Sequence, residues 1–221
     1  MPSPVQLWRA RELVGALGIG GWAAFHLYEQ WAGFAGRDAY VARTLSTSVG
    51  TLATLTEVAL GVLPLLAYLV LDGLTFRAKE PPALAGALAD DPDLALRLGR
   101  IGRWGSRVLA LFLLYHIAWL WLPQPGSEDP EQTWSMLHQS LGTWPHVIGH
   151  AIGITALAVH VWQSVPRLAL VLGLVQRAEM LRALRVSGLI VGVGVLFLFA
   201  QLAGWHASGT GIVWPLGPES W

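Results

Sequence analysis

Cysteine is absent from the 221 residues, which excludes disulfide scaffolds, Cys-ligated zinc and Cys-ligated iron–sulfur clusters within the chain, though not haem held by histidine. Charge is scarce: 13% of residues are Asp, Glu, Lys or Arg, against about 25% in a typical soluble domain. An ordinary water-exposed globule is therefore excluded, and the 54% hydrophobic content excludes intrinsic disorder. The 14 Lys+Arg balance the 14 Asp+Glu, so no net field points to nucleic acid. What is abundant is apolar sequence with a mean hydropathy of +0.51 and 12 Trp, a residue enriched at bilayer interfaces.

A helix needs about 20 predominantly apolar residues to cross a bilayer. Five segments qualify: 13–34, 49–71, 104–122, 147–165 and 187–205. The fold expected is a single all-α domain over 1–221, a membrane bundle of five spans. The polar opening MPSPVQLWRARE reads as the lead-in to a retained span rather than a cleavable signal. With ends assigned alternately, all of the 14 Lys+Arg except Arg37 and Arg43 fall on the N-terminal side, while loop 123–145 carries Glu128, Asp129 and Glu131 and no base. The positive-inside rule places the N-terminus in the cytoplasm, and the localisation expected is a bacterial inner membrane. Segment 74–103 is then a cytoplasmic loop with an acidic trio (Asp90, Asp91, Asp93) and a short helix, either a solvated connector or a contact for a soluble partner. Residues 168–185 read as an interfacial connector after Pro166.

Ionisable groups inside spans are costly and usually functional. His26, His116 and His160 lie well inside spans; His146, His150 and His206 lie near outer ends, where wetted surface positions are expected; His138 lies in the outer loop. At about 1.5 Å per residue, His26 sits roughly 12 Å and His116 roughly 9 Å from the outer ends of two co-directional spans. Two imidazoles at one level on facing helices can clamp an iron porphyrin. His160 lies roughly 8 Å from the inner end of its span, where the second span offers Tyr68. On the fourth span His146, His150, Gly153, Leu157 and His160 share one stripe. Gly15 is on the first span, where glycine lets a macrocycle or another helix approach. Glu57, roughly 12 Å from the outer surface, is a candidate for proton handling beside a redox centre, or a carboxylic acid bridging helices. A lone intramembrane histidine likewise either binds metal or bridges helices.

Three segments, AAFHLYEQW around His26, GRWGSRVLALFLLYHIAW around His116 and ALAVHVWQSVPR around His160, together with LTEVALGVLPLLAYLVLDG, make the chain resemble the cytochrome b membrane-anchor subunit of succinate dehydrogenase/fumarate reductase, in its single-chain, five-helix type. The resemblance implies haem b and a quinone, probed first as menaquinone, with FAD and the iron–sulfur clusters on two soluble partners, a flavoprotein subunit and an iron–sulfur subunit of respiratory complex II. The chain would pass electrons towards quinone without itself oxidising succinate, the step that links the complex to the tricarboxylic acid cycle. It assigns His26 and His116 to the outer haem iron and His160 to an inner one, whose second ligand position holds Tyr68. One haem is expected, with two as the alternative. Glu57 falls near an acidic residue at the family's outer quinone site. Arg103 and Arg107 would meet haem propionates or quinone oxygens, or simply anchor the inner end. Two other readings stay open: the cytochrome b subunit of a nitrate reductase or hydrogenase, and a haem-free polytopic membrane protein.

Overall fold

A computed structural model describes residues 3–47, 55, 58–76, 81, 84, 86–121 and 129–208, and among these there is no strand. The first helical rod comprises α1 (Pro4–Leu13), a π-helical stretch (Val14–Ile19), α2 (Gly20–Gln30) and a 3₁₀ turn (Trp31–Ala35). Ser3 caps it through a capping box with Gln6, and Pro4 fills the first helical position, where a missing N–H costs nothing. Gly36, at φ 101°, turns the chain into α3 (Arg37–Thr47). A second π-helical stretch (Val58–Val62) runs into α4 (Leu63–Thr75). Then follow α5 (Pro92–Trp121), α6 (Pro130–Leu141), α7 (Trp144–Val171) and α8 (Ala178–Ser208).

Three helices among the described residues are long and apolar enough to cross a membrane: Val58–Thr75, Trp144–Val171 and Ala178–His206. The boundaries differ from the sequence expectation in several places: the first rod is helical from Pro4, and of the expected connector 168–185 only 172–177 is non-helical, α8 already starting at Ala178. Residues 92–103, expected in the inner loop, are helical and continuous with α5. The outer loop contains α6, started by Asp129, whose carboxylate accepts from the Glu131 N–H. Pro166 does not end α7, which runs on to Val171.

The carbonyl that Pro166 leaves without its helical partner faces α8. Proline removes the N–H that would bond the carbonyl four residues back, here that of Trp162. Gly188 of α8 packs against that carbonyl so closely that a Cβ there would lie 2.5 Å from the Trp162 oxygen. One turn on, a Cβ at Gly192 would lie 2.8 Å from the Ala158 carbonyl oxygen. The pair forms a small-residue stripe that lets two helices meet backbone to backbone, the packing mode favoured where lipid removes the hydrophobic drive. The turn of direction comes instead at Gly173 (φ 71°), where Leu174 N–H bonds the Ala169 carbonyl and Gly173 N–H bonds the Leu170 carbonyl.

The core lies between the rods. Ile19 and Ala23, Leu65 and Tyr68 of α4, Leu109, Ala110 and Leu113 of α5, and Ala156 and Leu157 of α7 form one buried cluster, with Val195 and Phe199 of α8 against it. A smaller cluster, Phe34, Leu202 and Trp205, closes the end of the bundle away from the N-terminus, called the outer end below, the opposite end being the inner one. At the inner end Arg185 binds the carbonyls of Gly86 and Ala87 and pairs with Asp90, which also meets Arg182.

Gly188→Ala is expected to cost about 1–3 kcal/mol through overpacking, read as a fall in Tm of the detergent-solubilised protein. Gly194→Ala, which meets nothing within 4 Å, should leave Tm unchanged or raise it. The latch at Arg185 has a pH signature as well. Its hydrogen bond holds the exposed Asp90 carboxyl below its usual range, so the charged form is favoured on folding. The contribution is full above the ordinary Asp pKa of about 4 and is lost as pH falls through the lowered value. Arg185→Ala at neutral pH should reproduce that loss as faster proteolytic cleavage within 86–91.

Candidate functional site: an outer cavity lined by four imidazoles

The inner halves of the helices are joined by charge. Arg11 donates from Nε and Nη2 to Asp72 Oδ1 at 3.0 and 2.8 Å, and Arg107 donates from Nε to Asp72 Oδ2 at 3.2 Å. Arg11 also pairs with Glu12 at 2.9 Å, and Arg167 reaches Glu12 at 3.7 Å. The first rod, α4, α5 and α7 all contribute. Arg107 additionally lies over the rings of Phe76 and Trp104. Arg103, one turn earlier on α5, is half-buried. Neither acidic residue of this cluster stood out in the sequence. Their signal was position: Glu12 and Asp72 each sit at a span end close to basic residues, Arg9 and Arg11 in one case and Arg77 and Lys79 in the other.

Just outward lies the inner pair. Tyr68 and His160 face each other with ring centroids 5.9 Å apart at 88°. Both nitrogens of His160 are engaged: Nε2–H donates to the Gly15 carbonyl at 3.1 Å, and Nδ1 accepts from the Ser106 hydroxyl at 3.2 Å. Gly15 occupies the space between the rings; a Cβ there would lie 3.0 Å from Tyr68 Cε2 and 3.2 Å from His160 Cε1. The Tyr68 ring is covered by the Arg11 guanidinium at 5.0 Å, and its hydroxyl is buried beside Ser106. These residues do not fit a second haem. Both His160 nitrogens are already bonded, to the Gly15 carbonyl and the Ser106 hydroxyl, so neither is free for an iron. In this chain Gly15 serves close helix approach.

The outer half is different. His26 of α2 and His116 of α5 stand 6.0 Å apart between ring centroids, with planes at 85°. Two imidazoles held in line on one metal by bonds of about 2 Å have centroids about 6 Å apart. Each ring carries an aromatic neighbour four residues earlier on its own helix: Trp22 stacks on His26 at 4.9 Å and 10°, Phe112 on His116 at 5.5 Å and 28°. Stacking covers imidazole faces and leaves the in-plane nitrogen lone pairs free. His116 Nδ1 is buried without a partner.

His150 and His206 line the same cavity and are 8% and 4% exposed. The expectation that they are wetted surface groups is corrected. α6 folds over them, placing Trp134 4.8 Å from the His206 ring and bonding His138 to the His206 carbonyl at 2.6 Å. The signal for His150 was already in its stripe with Gly153 and Leu157, both cavity-lining. His146 is half-exposed and bonds Tyr115. The remaining wall is apolar, chiefly Leu109, Leu113, Leu137, Ile154 and Phe199, with Gln30 one turn outward of His26. The cavity measures about 80 Å³, a slot between rings, with Phe112 pressed against Gly153. The two rings stand at the spacing that two imidazoles on one metal would have, and His116 Nδ1 has no partner. Glu57 lies outside the described residues.

No family model, curated protein or solved structure matches the chain.

Replacing His160 by Leu removes both of its bonds and strands the buried Gly15 carbonyl and Ser106 hydroxyl. A loss of about 1–3 kcal/mol per stranded group is expected, measurable as a lowered Tm.

Proposed function

We propose that the protein is the haem b-bearing membrane anchor of a succinate:quinone oxidoreductase, with one haem in its outer cavity. The observation that carries the reading is the His26–His116 pair, two imidazoles from separate helices 6.0 Å apart in an apolar slot. In this reading the first rod and α5 cross the bilayer alongside the three more apolar helices, giving five spans in a bacterial inner membrane with the N-terminus cytoplasmic.

Bound haem would supply one-electron transfer between a partner's iron–sulfur cluster and a membrane quinone, menaquinone being the first to test. The residues supply the rest. His26 and His116 would hold the iron from two rigid helices, Trp22 and Phe112 set their ring planes, and the surrounding leucines exclude water. The inner face, with Arg97 and Arg100 beside exposed Leu94, Ile101 and Trp104 at the start of α5, is where the iron–sulfur and flavoprotein subunits would dock. Arg107, committed to Asp72, serves the inner ion cluster, not a propionate of the outer haem.

The test is haem quantification per polypeptide with a reduced-minus-oxidised visible spectrum. Wild type should contain one haem; His26→Ala and His116→Ala should lose it, and His160→Ala should retain it. Equal retention in all variants, or no haem in wild type, overturns the reading. Copurification of a flavoprotein and an iron–sulfur protein separates this anchor from other respiratory cytochromes b.

A further inference from the structure

The slot holds more imidazoles than an axial pair requires, and the third is poised against the second. His150 meets His116 edge to face, with centroids 5.4 Å apart and planes at 78°. Its Nδ1 lies 2.8 Å from the carbonyl of His146, one turn earlier on α7. A carbonyl only accepts, so Nδ1 carries the proton, and the neutral ring keeps a bare acceptor at Nε2. His116 presents the complementary deficiency. Its Nδ1 is buried and makes no such bond to its own helix or to anything else. No acidic side chain is among the described residues lining the cavity.

We infer that His150 is the positioning residue for His116, accepting the His116 Nδ1–H at its own Nε2 and so turning His116 Nε2 towards the iron. The inference rests on the haem reading above. At 5.4 Å between centroids the bond is not made; a turn about the soft terminal torsion of His116 closes it. A metal-ligating histidine almost always donates its second N–H to an acceptor, which fixes the tautomer and strengthens the ring as a ligand. A stronger donor favours the ferric state and lowers the reduction potential. His150 does this without a buried carboxylate, whose charge the apolar slot would penalise.

The test uses the full chain, purified with any subunits that accompany it, and three variants. His150→Phe keeps an aromatic ring without the acceptor, His150→Leu serves if that protein does not accumulate, and His150→Gln restores an acceptor through its amide oxygen. The readouts are haem retention, the low-spin ferric EPR signal and the midpoint potential at one pH. His150→Phe or His150→Leu should stay low-spin, shift the potential upward and hold haem about 10–100-fold less tightly. His150→Gln should return both properties towards wild type. An unchanged potential and EPR signal in the apolar variants overturns the inference. So does a high-spin signal, which would make His150 an axial ligand itself, and so does a shift in His150→Gln equal to that of the apolar variants. Wild type without haem sinks the underlying reading; wild type with haem and an unresponsive His150 sinks this inference alone.

Discussion

Asp72 accepts from two guanidiniums at the inner end of the bundle, and the rotational setting of the helices depends on that contact. Its partners come from the first rod and α5, and Arg11 and Glu12 extend the cluster to α7 through Arg167. Such a cluster contributes little net stability, because desolvation offsets attraction, but breaking one member strands a buried charge. It therefore acts as a register device. Each helical stretch turns by a fixed angle per residue, about 100° in an α-helix and less in the π-helical 14–19, so fixing one residue's azimuth fixes that of the stripe that follows it. On the first rod Arg11, Gly15, Ile19, Trp22 and His26 follow in steps of three or four, as do Ser106, Leu109, Leu113 and His116 on α5. Holding the inner charges holds the outer imidazoles.

The same stripes divide the bundle into two chemistries. In the inner half every imidazole valence is spent: His160 joins the first rod to α5 and α7, and Gly15 lets the rods close around it. In the outer half His26 and His116 are stacked on their faces, and His116 Nδ1 is left without a partner. Burial is similar at His116 and His160, 8% and 7% exposed, so burial does not separate a ligand from a bridge. What separates them is whether the nitrogens already have partners.

The all-helical class and the depth match of His26 with His116 were legible in the sequence, because hydropathy and a constant rise per residue carry both. The Tyr68–His160 juxtaposition was legible for the same reason. Its chemistry was not: that His160 bonds Gly15 and Ser106 depends on packing across three helices. His150 and His206 were misjudged because depth alone placed them at a wet interface. Proximity to the surface implies water only if nothing covers it, and α6, hidden in what read as an acidic loop, covers them. Pro166 misled for a local reason. It removes one hydrogen bond, yet α7 runs on to Val171, with Gly188 of α8 packed against the carbonyl left bare.

Closing the inner site has a consequence for the proposed electron path. Arg11 to His26 spans about 22 Å of helix, and no second iron would divide that distance. The electron would cross the inner half by tunnelling through protein, which is favoured by contiguous packed atoms and hindered by voids. That half is packed in the required way: Leu65, Tyr68 and Leu109 are at most 2% exposed, and the Gly15 carbonyl bonds the His160 ring. The long step would still be slower than one relayed by an inner haem, so the reading places the rate limit between the docked cluster and the outer cavity. Under the proposed function such an anchor would gain a rigid, water-excluded inner bundle and give up speed of transfer, and its outer imidazoles would set the potential at which the electron arrives.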